Sequence, residues 1–211
     1  CGNVVSQTQI ITVQDTTDPE LVGVPGDVTI ECDLVPAPAT PVAVDNCDTD
    51  VDIAFNEIRT DGQCVDNYIL TRTWTATDNC GNTNSGNQVI TVQDTTDPIL
   101  AGVPADETVE CDSVPAPAQP TATDNCDADV TIALQEVITD GNCTYNYTLT
   151  RTWTATDNCG NTAVQVQVIT VQDTTDPELF GVPSDVTVEC DAIPALVTPI
   201  ASDNCDVDVD I

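Results

Sequence analysis

From Tyr68 to Thr77 apolar and polar side chains alternate without a break. Tyr68, Leu70, Arg72, Trp74 and Ala76 share one face; Ile69, Thr71, Thr73, Thr75 and Thr77 share the other. A two-residue period predicts a strand with one face buried and a threonine-lined face in water. The pattern returns with Tyr147, Leu149, Arg151, Trp153 and Ala155 inward and threonine at every outward position from Thr148 to Thr156. Shorter β-rich runs come before it. Residues 20–24 and 27–32, broken by Gly23 and Pro25, predict a kinked edge strand. Leu34 to Pro41, rich in Pro and Ala, cannot be helical and crosses between sheets to deliver a strand at Val42–Asp45. A strand from Val51 to Ile58, a turn at Asp61 and Gly62, a hairpin at Asn79–Asn82 and a last strand ending at Val92 complete the series. In the second series Val164, Val166 and Val168 are in phase, whereas Ile169 and Val171 fall on the other parity, which predicts a bulge near the end. Helical periodicity is absent. Arg72 and Arg151, mid-strand on the apolar face beside a Trp, are expected to stack on the indole and pair with Glu57 and Glu136, because an unpaired buried charge is costly.

The series is a repeat. VQDTTDP occurs at Val13, Val92 and Val171, so Asp15, Asp94 and Asp173 stand 79 residues apart, and TATDNCGN occurs at Thr75 and again at Thr154. Self-similarity at a fixed period means one folded unit in series. VQDTTDP, two carboxylates and a proline that cannot continue a ladder, reads as the joint. The expected division is 1–14, the hairpin and last strand of a preceding copy; 15–93, copy 1; 94–172, copy 2; and 173–211, the truncated start of copy 3. Short strands at this spacing with a threonine-rich exposed face predict an all-β Greek-key sandwich in each copy. Cys1 opens CysGlyAsn, as Cys80 and Cys159 do, so it reads as a mid-repeat position in a window of a longer polymer and not as an acylated first residue.

Charge narrows the function. With 36 acidic and 3 basic residues, no histidine and a formal net charge of -33, the chain lacks the cations that nucleic-acid phosphates require and is repelled by anionic membranes. No run of 18 apolar residues predicts membrane insertion of this segment. An acidic surface keeps fibres soluble, and self-repulsion on this scale also favours a divalent cation among the carboxylates. An enzyme is disfavoured: there is no histidine, no nucleophile beside a base, and the acid pairs repeat with the fold.

The 11 cysteines fall at 1, 32, 47, 64, 80, 111, 126, 143, 159, 190 and 205, four per 79-residue copy. Without CxxC or histidine they read as a disulfide framework in an exported protein, at the cell surface or outside the cell. Four cysteines allow three connectivities. Strand directions place like ends together and predict two bridges per copy, Cys32–Cys64 and Cys47–Cys80, then Cys111–Cys143 and Cys126–Cys159, leaving Cys1, Cys190 and Cys205 to partners elsewhere.

The same directions gather three acidic loops at one end of each copy. In copy 1 they supply Asp15 and Asp18 from the joint, Asp45, Asn46, Asp48 and Asp50 from one loop, and Asp78 and Asn79 from the hairpin. In copy 2 they are Asp94, Asp97, Asp124, Asn125, Asp127, Asp129, Asp157 and Asn158. Copy 3 retains Asp173, Asp176, Asp203, Asn204, Asp206 and Asp208. Oxygen donors alone suit calcium, which takes six to eight such ligands, and not zinc or copper. The alternative for each Asp is a turn residue bonded to its own backbone.

ThrThrAspPro, ProThrAlaThrAspAsn and TrpThrAlaThrAspAsnCysGlyAsnThr resemble the HYR-type immunoglobulin-like repeats found in tandem on large bacterial surface proteins. The resemblance covers the whole chain and implies tandem immunoglobulin-like sandwiches. The joint is also similar to the calcium-binding linkers of cadherins, which implies Ca2+ ligation by Asp15, Asp18, Asp94, Asp97, Asp173 and Asp176; ThrThr stands here where cadherin-like linkers have Asn and Asp. AspThrThr resembles a bacterial O-glycosylation pattern, making Thr16, Thr95 and Thr174 candidates, while Asn142 and Asn146 fit the N-glycan sequon. Two functions remain. One is a structural segment of an extracellular fibre or adhesin stalk, whose partners are neighbouring repeats end to end, other copies of the fibre, and cell-surface or matrix glycans. The other is a surface module whose threonine faces or acidic ends hold glycan, mineral or ice.

Overall fold

The computed structural model describes residues 1–211. The protein is all β apart from two short 3-10 turns, and it divides into two compact units, Cys1–Thr95 and Thr96–Ile211. No helix is long and apolar enough to cross a membrane.

In the first unit the strands are β1 (Glu20–Val22), β2 (Val28–Glu31), β3 (Val42–Val44), β4 (Asp52–Asp61), β5 (Tyr68–Thr77) and β6 (Thr83–Gln93), with a 3-10 turn at Cys32–Leu34. β1 pairs with β3 as a small antiparallel sheet, while β4, β5 and β6 form an antiparallel ladder whose far edge is extended by β2. β2 runs parallel to β6, with Val28 opposite Ile90 and Glu31 opposite Gln93. The second unit repeats this plan with β7 (Ile99–Ala101), β8 (Glu107–Glu110), a 3-10 turn at Cys111–Ser113, β9 (Thr121–Thr123), β10 (Thr131–Cys143), β11 (Asn146–Thr156) and β12 (Thr162–Gln172), and adds the hairpin-like pair β13 (Glu178–Phe180) and β14 (Ile200–Ser202). Here β8 is parallel to β12, Gln172 opposite Glu110.

The two-residue period predicts the buried face correctly. Leu70, Arg72, Trp74 and Ala76 are buried, as are Leu149, Arg151, Trp153 and Ala155. The core of the second unit is split along β11. At one end Trp153 and Ala155 pack with Leu100, Val103, Ala122 and Ile132; at the other Leu149, Ile169 and Val171 pack with Val109, Val114 and Tyr147. The arginine sits between. Arg151 Nε donates to Glu136 Oε1 at 2.8 Å and its Nη2 to Pro115 O at 2.7 Å; Arg72 does the same with Glu57 Oε2 at 2.7 Å and Pro36 O at 2.8 Å. The expected ion pair is present, with the crossing segment's carbonyl satisfying a second donor. The indole has a different ring partner from the one expected: Trp74 lies against Phe55 at 5.3 Å, and its Nε1 donates to Ala39 O at 3.2 Å.

Three expectations change. The predicted bulge in β12 is absent, since β11 and β12 stay in register from Tyr147–Val171 to Thr156–Thr162. The inward face of β12 is the one holding Gln165, Gln167, Ile169 and Val171, so Val164 and Val166 point outward and stay about half exposed. Gln167 fits a buried position because its Nε2 donates to Ala105 O at 3.0 Å and Glu107 Oε1 at 3.2 Å. The irregularity lies instead between β10 and β11, at Asp140/Cys143. Second, β4 runs on through Asp61, so the turn falls later, closed by Gly62 N to Asn67 O at 2.7 Å. Third, residues 1–19 form no strand although Thr12–Gln14 copies the end of β6, and residues 184–190 form none although they copy β2. The ladders explain both: β6-type strands form against β5 and β2-type strands against β6, and neither stretch has such a neighbour here.

Replacing Arg151 by Ala removes a buried group with two partners and leaves Glu136 unpaired. Urea denaturation should show a loss on the order of 3 kcal/mol. Adding Glu136→Ala should cost less than the sum of the two single changes, since they share one interaction.

Candidate metal centre at the joints

In the first unit the three acidic loops meet. Asp15 from the joint, Asp45 from the loop after β3 and Asp78 from the hairpin after β5 bring one carboxylate oxygen each to within 4.8 Å of one another. Backbone hydrogen bonds hold them. Asp45 Oδ1 accepts from Cys47 N at 2.8 Å and Asp48 N at 2.9 Å. Asp78 Oδ1 accepts from Cys80 N at 2.9 Å and Asn82 N at 2.8 Å, and its Oδ2 from Asn82 Nδ2 at 2.7 Å. Asp15 Oδ1 accepts from Thr17 N at 3.1 Å. The tight turn at the hairpin needs Gly81, whose φ is 91°. Asp48 ties two loops together, accepting from Asp50 N through Oδ1 and from Asn79 N through Oδ2, each at 2.9 Å.

The second oxygen of Asp45, Oδ2, is buried and has no hydrogen-bond partner. A buried carboxylate oxygen without a donor is costly. No cationic side chain is positioned to offset it, because the arginines pair with Glu57, Asp61 and Glu136. Burial pushes the Asp78 carboxyl upward, but the hydrogen bonds from the Asn82 side chain and from the Asn82, Cys80 and Gly81 backbone outweigh it and hold the group below the ordinary carboxylate value. Asp78 is therefore an anion by design of its loop. An oxygen-only donor set with one orphaned buried oxygen fits a hard divalent cation of calcium size.

The other sequence candidates divide by place. Asp18 and Asn46 line a shallow cleft with Asp45, Thr17 and Glu20 beside this cluster. Asp50 and Asn79 serve through their backbone N–H groups. In the second unit Asp124 accepts from Cys126 N at 2.8 Å, Asp127 from Asn158 N at 2.8 Å, and Asp157 from Cys159, Gly160 and Asn161 N between 2.7 and 2.9 Å, repeating the loop construction. Asp127 Oδ1 fixes Asp129 N, and Asn125 Nδ2 donates to Cys126 Sγ. Asp97 accepts from Thr162 N at 3.2 Å. Asp203 accepts from Asp206 and Cys205 N, which lowers its pKa, and Asp206 from Asp208 N. Asp176 and Asn204 are exposed.

At the joint inside the second unit, Glu110, Asp173 and Cys205 form a further close group. Sequence reasoning missed two of its supports. Thr174 N and Oγ1 both donate to Glu110, and Asp173 N donates to Asn146 Oδ1 at 2.8 Å. Thr95, Glu31, Asp94 and Asn67 repeat the arrangement in the first unit. Their 79-residue spacing was the available signal. The glycosylation candidates Thr16, Thr95 and Thr174 are all exposed, and the hydroxyls of Thr95 and Thr174 are hydrogen-bonded to Glu31 and Glu110.

The cysteines correct the sequence reading. Cys111 is bonded to Cys205, with Cα atoms 5.8 Å apart, and Cys143 is a free exposed thiol, so Cys111–Cys143 does not form. Cys47 and Cys80 are likewise free and exposed, so Cys47–Cys80 does not form. Cys32, Cys64, Cys126 and Cys159 are also disulfide-bonded. Strand direction assigned each cysteine an end but took that end to face only its own copy. β8 delivers Cys111 to the joint, where the loop after β14 brings Cys205 from the next copy.

These features define a class: tandem immunoglobulin-like β-sandwich repeats with acidic, disulfide-bearing joints. The chain belongs to the family described as HYR-like domain with 4 cysteines, matched over residues 20–92 and again over 99–171. No curated protein matches the chain. Among solved structures it is similar to Drosophila N-cadherin EC1-4 (11% identity, TM-score 0.34, covering 74% of this chain and 50% of that one). Mouse cadherin-23 EC22-24 is also similar (14%, TM-score 0.32, 77% and 69%), as is human mucin-like protocadherin EC1-2 (12%, TM-score 0.29, 71% and 96%). The chain spans about half the length of the first of these.

Two outcomes follow. Peptide mapping of the alkylated, unreduced chain should give a Cys111–Cys205 cross-link and alkylated Cys47, Cys80 and Cys143. Cys47 should react only at more alkaline pH than an ordinary thiol, because burial and the charges of Asp15, Asp45, Cys80 and Asp78 raise its pKa. The lowered pKa of Asp78 means that its stabilisation is complete above about pH 4, the ordinary carboxylate value, and vanishes as pH falls through the lower folded value. Melting temperatures of wild type and Asp78→Asn should differ at neutral pH and converge in acid.

Proposed function

We propose that the chain is a segment of an exported, extracellular fibre or adhesin stalk whose joints are stiffened by calcium. The observation that carries this is the meeting of Asp15, Asp45 and Asp78, with a buried Asp45 oxygen that no donor satisfies, in a chain of 36 acidic and 3 basic residues. Asp15, Asp45 and Asp78 would hold the ion, with Asp18 and Asn46 adjacent. Calcium there supplies charge neutralisation and cross-links three loops; the protein's own part is to hold the carboxylates in place beforehand through backbone N–H bonds, which lowers the ordering cost of binding. The domain division 15–93, 94–172 and 173–211 belongs to this reading: each copy is a uniform spacer, and its partners are its neighbours in line.

A second reading rests on the outer sheet face of copy 2. Thr148, Thr150, Thr152 and Thr154 form a column on β11 in register with Thr170, Val168, Val166 and Val164 on β12. A regular threonine and valine face suits a flat ligand such as a glycan, a mineral or ice. Pull-down of the intact chain by such a solid separates the two readings.

Calcium at about a hundred times its dissociation constant should stabilise the fold by roughly 2.7 kcal/mol per site, read as a higher melting temperature that EDTA reverses. Asp45→Asn with Asp78→Asn should remove the share of the first unit, and magnesium should act more weakly. Identical melting with calcium and with EDTA would contradict the proposal.

A further inference from the structure

Cys111 stands in a GluCysAsp triplet directly after β8, Cys205 in an AspAsnCysAsp loop directly after β14, and the two are bonded. The triplet returns one period later around Cys190, and the loop stands two periods earlier around Cys47. Both Cys190 and Cys47 are free, exposed thiols. Each is held like its bonded counterpart. Asp45 Oδ1 accepts from Cys47 N at 2.8 Å and Asp48 N at 2.9 Å, as Asp203 Oδ1 accepts from Cys205 N at 2.8 Å and Asp206 N at 3.0 Å. Asn46 Nδ2 donates to Cys47 Sγ at 3.3 Å, the contact that Asn125 makes at 3.2 Å with Cys126, which is disulfide-bonded. Ala192 N donates to Glu189 O at 3.0 Å, closing a turn over Cys190 where Cys111 opens the 3-10 turn Cys111–Ser113. What differs is cover: the joined Cys205 is buried, and Cys47 in the same loop of copy 1 is open.

We infer that Cys190 and Cys47 are the two halves of a covalent head-to-tail connection, in which Cys190 of one chain bonds Cys47 of a second copy of the chain as Cys111 bonds Cys205. In the bond already present the triplet belongs to one copy and the loop to the copy after it. The second chain therefore enters with its copy 1 behind Cys190, and both chains run the same way. Two chains that each carry a net charge of -33 repel one another. A disulfide holds them end to end where a non-covalent contact of two acidic surfaces opens. The oxidant is a small-molecule disulfide such as oxidised glutathione. One protein thiolate attacks it, forming a mixed disulfide and releasing one glutathione thiolate; the second protein thiolate attacks the mixed disulfide at the protein sulfur and releases the other. Two protein thiols become one disulfide, the reagent takes the two electrons, and the two protons end on two glutathione thiols. The inference rests on the stalk reading for its use, extending the line of copies from one chain to the next, but it requires no calcium.

The test uses the 211-residue chain carrying Cys1→Ser, Cys80→Ser and Cys143→Ser, which removes the other exposed free thiols and leaves every bonded cysteine in place. It is incubated with oxidised glutathione, once in EDTA and once in calcium, and run on a denaturing gel without reductant. The expected result is a ladder at multiples of the 22.2 kDa chain that dithiothreitol collapses, with a Cys47–Cys190 cross-linked peptide on mapping. Further Cys190→Ser or Cys47→Ser should each leave only monomer, while a mixture of those two variants should stop at a dimer, since each supplies one half. The Cys111–Cys205 peptide, present in every sample, reports that the fold is intact. Single variants that dimerise alone as well as they do together would overturn the inference, because collision of any two exposed thiols then explains the bonds. Glutathione-capped monomer, or a Cys47–Cys190 bond closed within one chain, would also overturn it and leave a following copy on the same polypeptide as the partner of Cys190. Loss of the ladder in both buffers leaves the calcium melting test untouched, and a ladder with calcium-independent melting would count against the calcium joint alone.

Discussion

Parallel pairing of a copy's second strand with its last one governs the rest of the structure. Because β8 and β12 run the same way, with Glu110 opposite Gln172, the next residue of each emerges at the same end: Cys111 from one and Asp173 from the other. That end is the joint. Glu110 can therefore take both donors of Thr174, and Cys111 can meet a cysteine of the following copy. An antiparallel closure would have sent Cys111 to the opposite end of the sandwich, away from the joint acids. The same pairing also explains why 184–190 stays without a strand: a β2-type strand forms only against the last strand of its copy, about sixty residues later.

The core between the joints is small and depends on a few large groups. Trp153 fills the space between the two-stranded and four-stranded sheets of its copy, and Arg151 separates that cluster from the one beside the parallel strand; Trp74, equally buried, packs on Phe55 and bonds Ala39 O. An arginine is tolerated there because the crossing segment offers a carbonyl, Pro36 or Pro115, and β4 or β10 offers a carboxylate. Gln88 and Gln167 use the same device with Gly26 and Ala105. Polar residues thus fix the seat of the Pro-rich crossing segment and of the kinked edge in copies that have little apolar volume to do so.

Much of this was legible in the residues. The repeat, the strand faces of β5 and β11, the arginine–glutamate pairs and the end at which the acids gather all follow from period and parity, because a half-buried strand leaves a two-residue signature. β12 was misread because its inward face carries glutamines and its outward face valines. Polarity there reports a local hydrogen bond, not exposure. Cys111–Cys143 was misread for a different reason: parity fixes which end a cysteine occupies but says nothing about whether that end faces its own copy or the next. The joint-holding role of Glu31, Glu110, Asn67 and Asn146 escaped notice since holding backbone and hydroxyl groups leaves no local motif.

Every part of this account converges on the joint, where anions are held together by their own loops and one buried oxygen has no donor. The direct measurement is a crystal structure of the chain grown with calcium, with the ion identified by anomalous scattering. The account predicts a peak between Asp15, Asp45 and Asp78 with oxygen ligands at roughly 2.3–2.6 Å, one of them Asp45 Oδ2. A map in which these three carboxylates are splayed into solvent, with no ion among them, would contradict it.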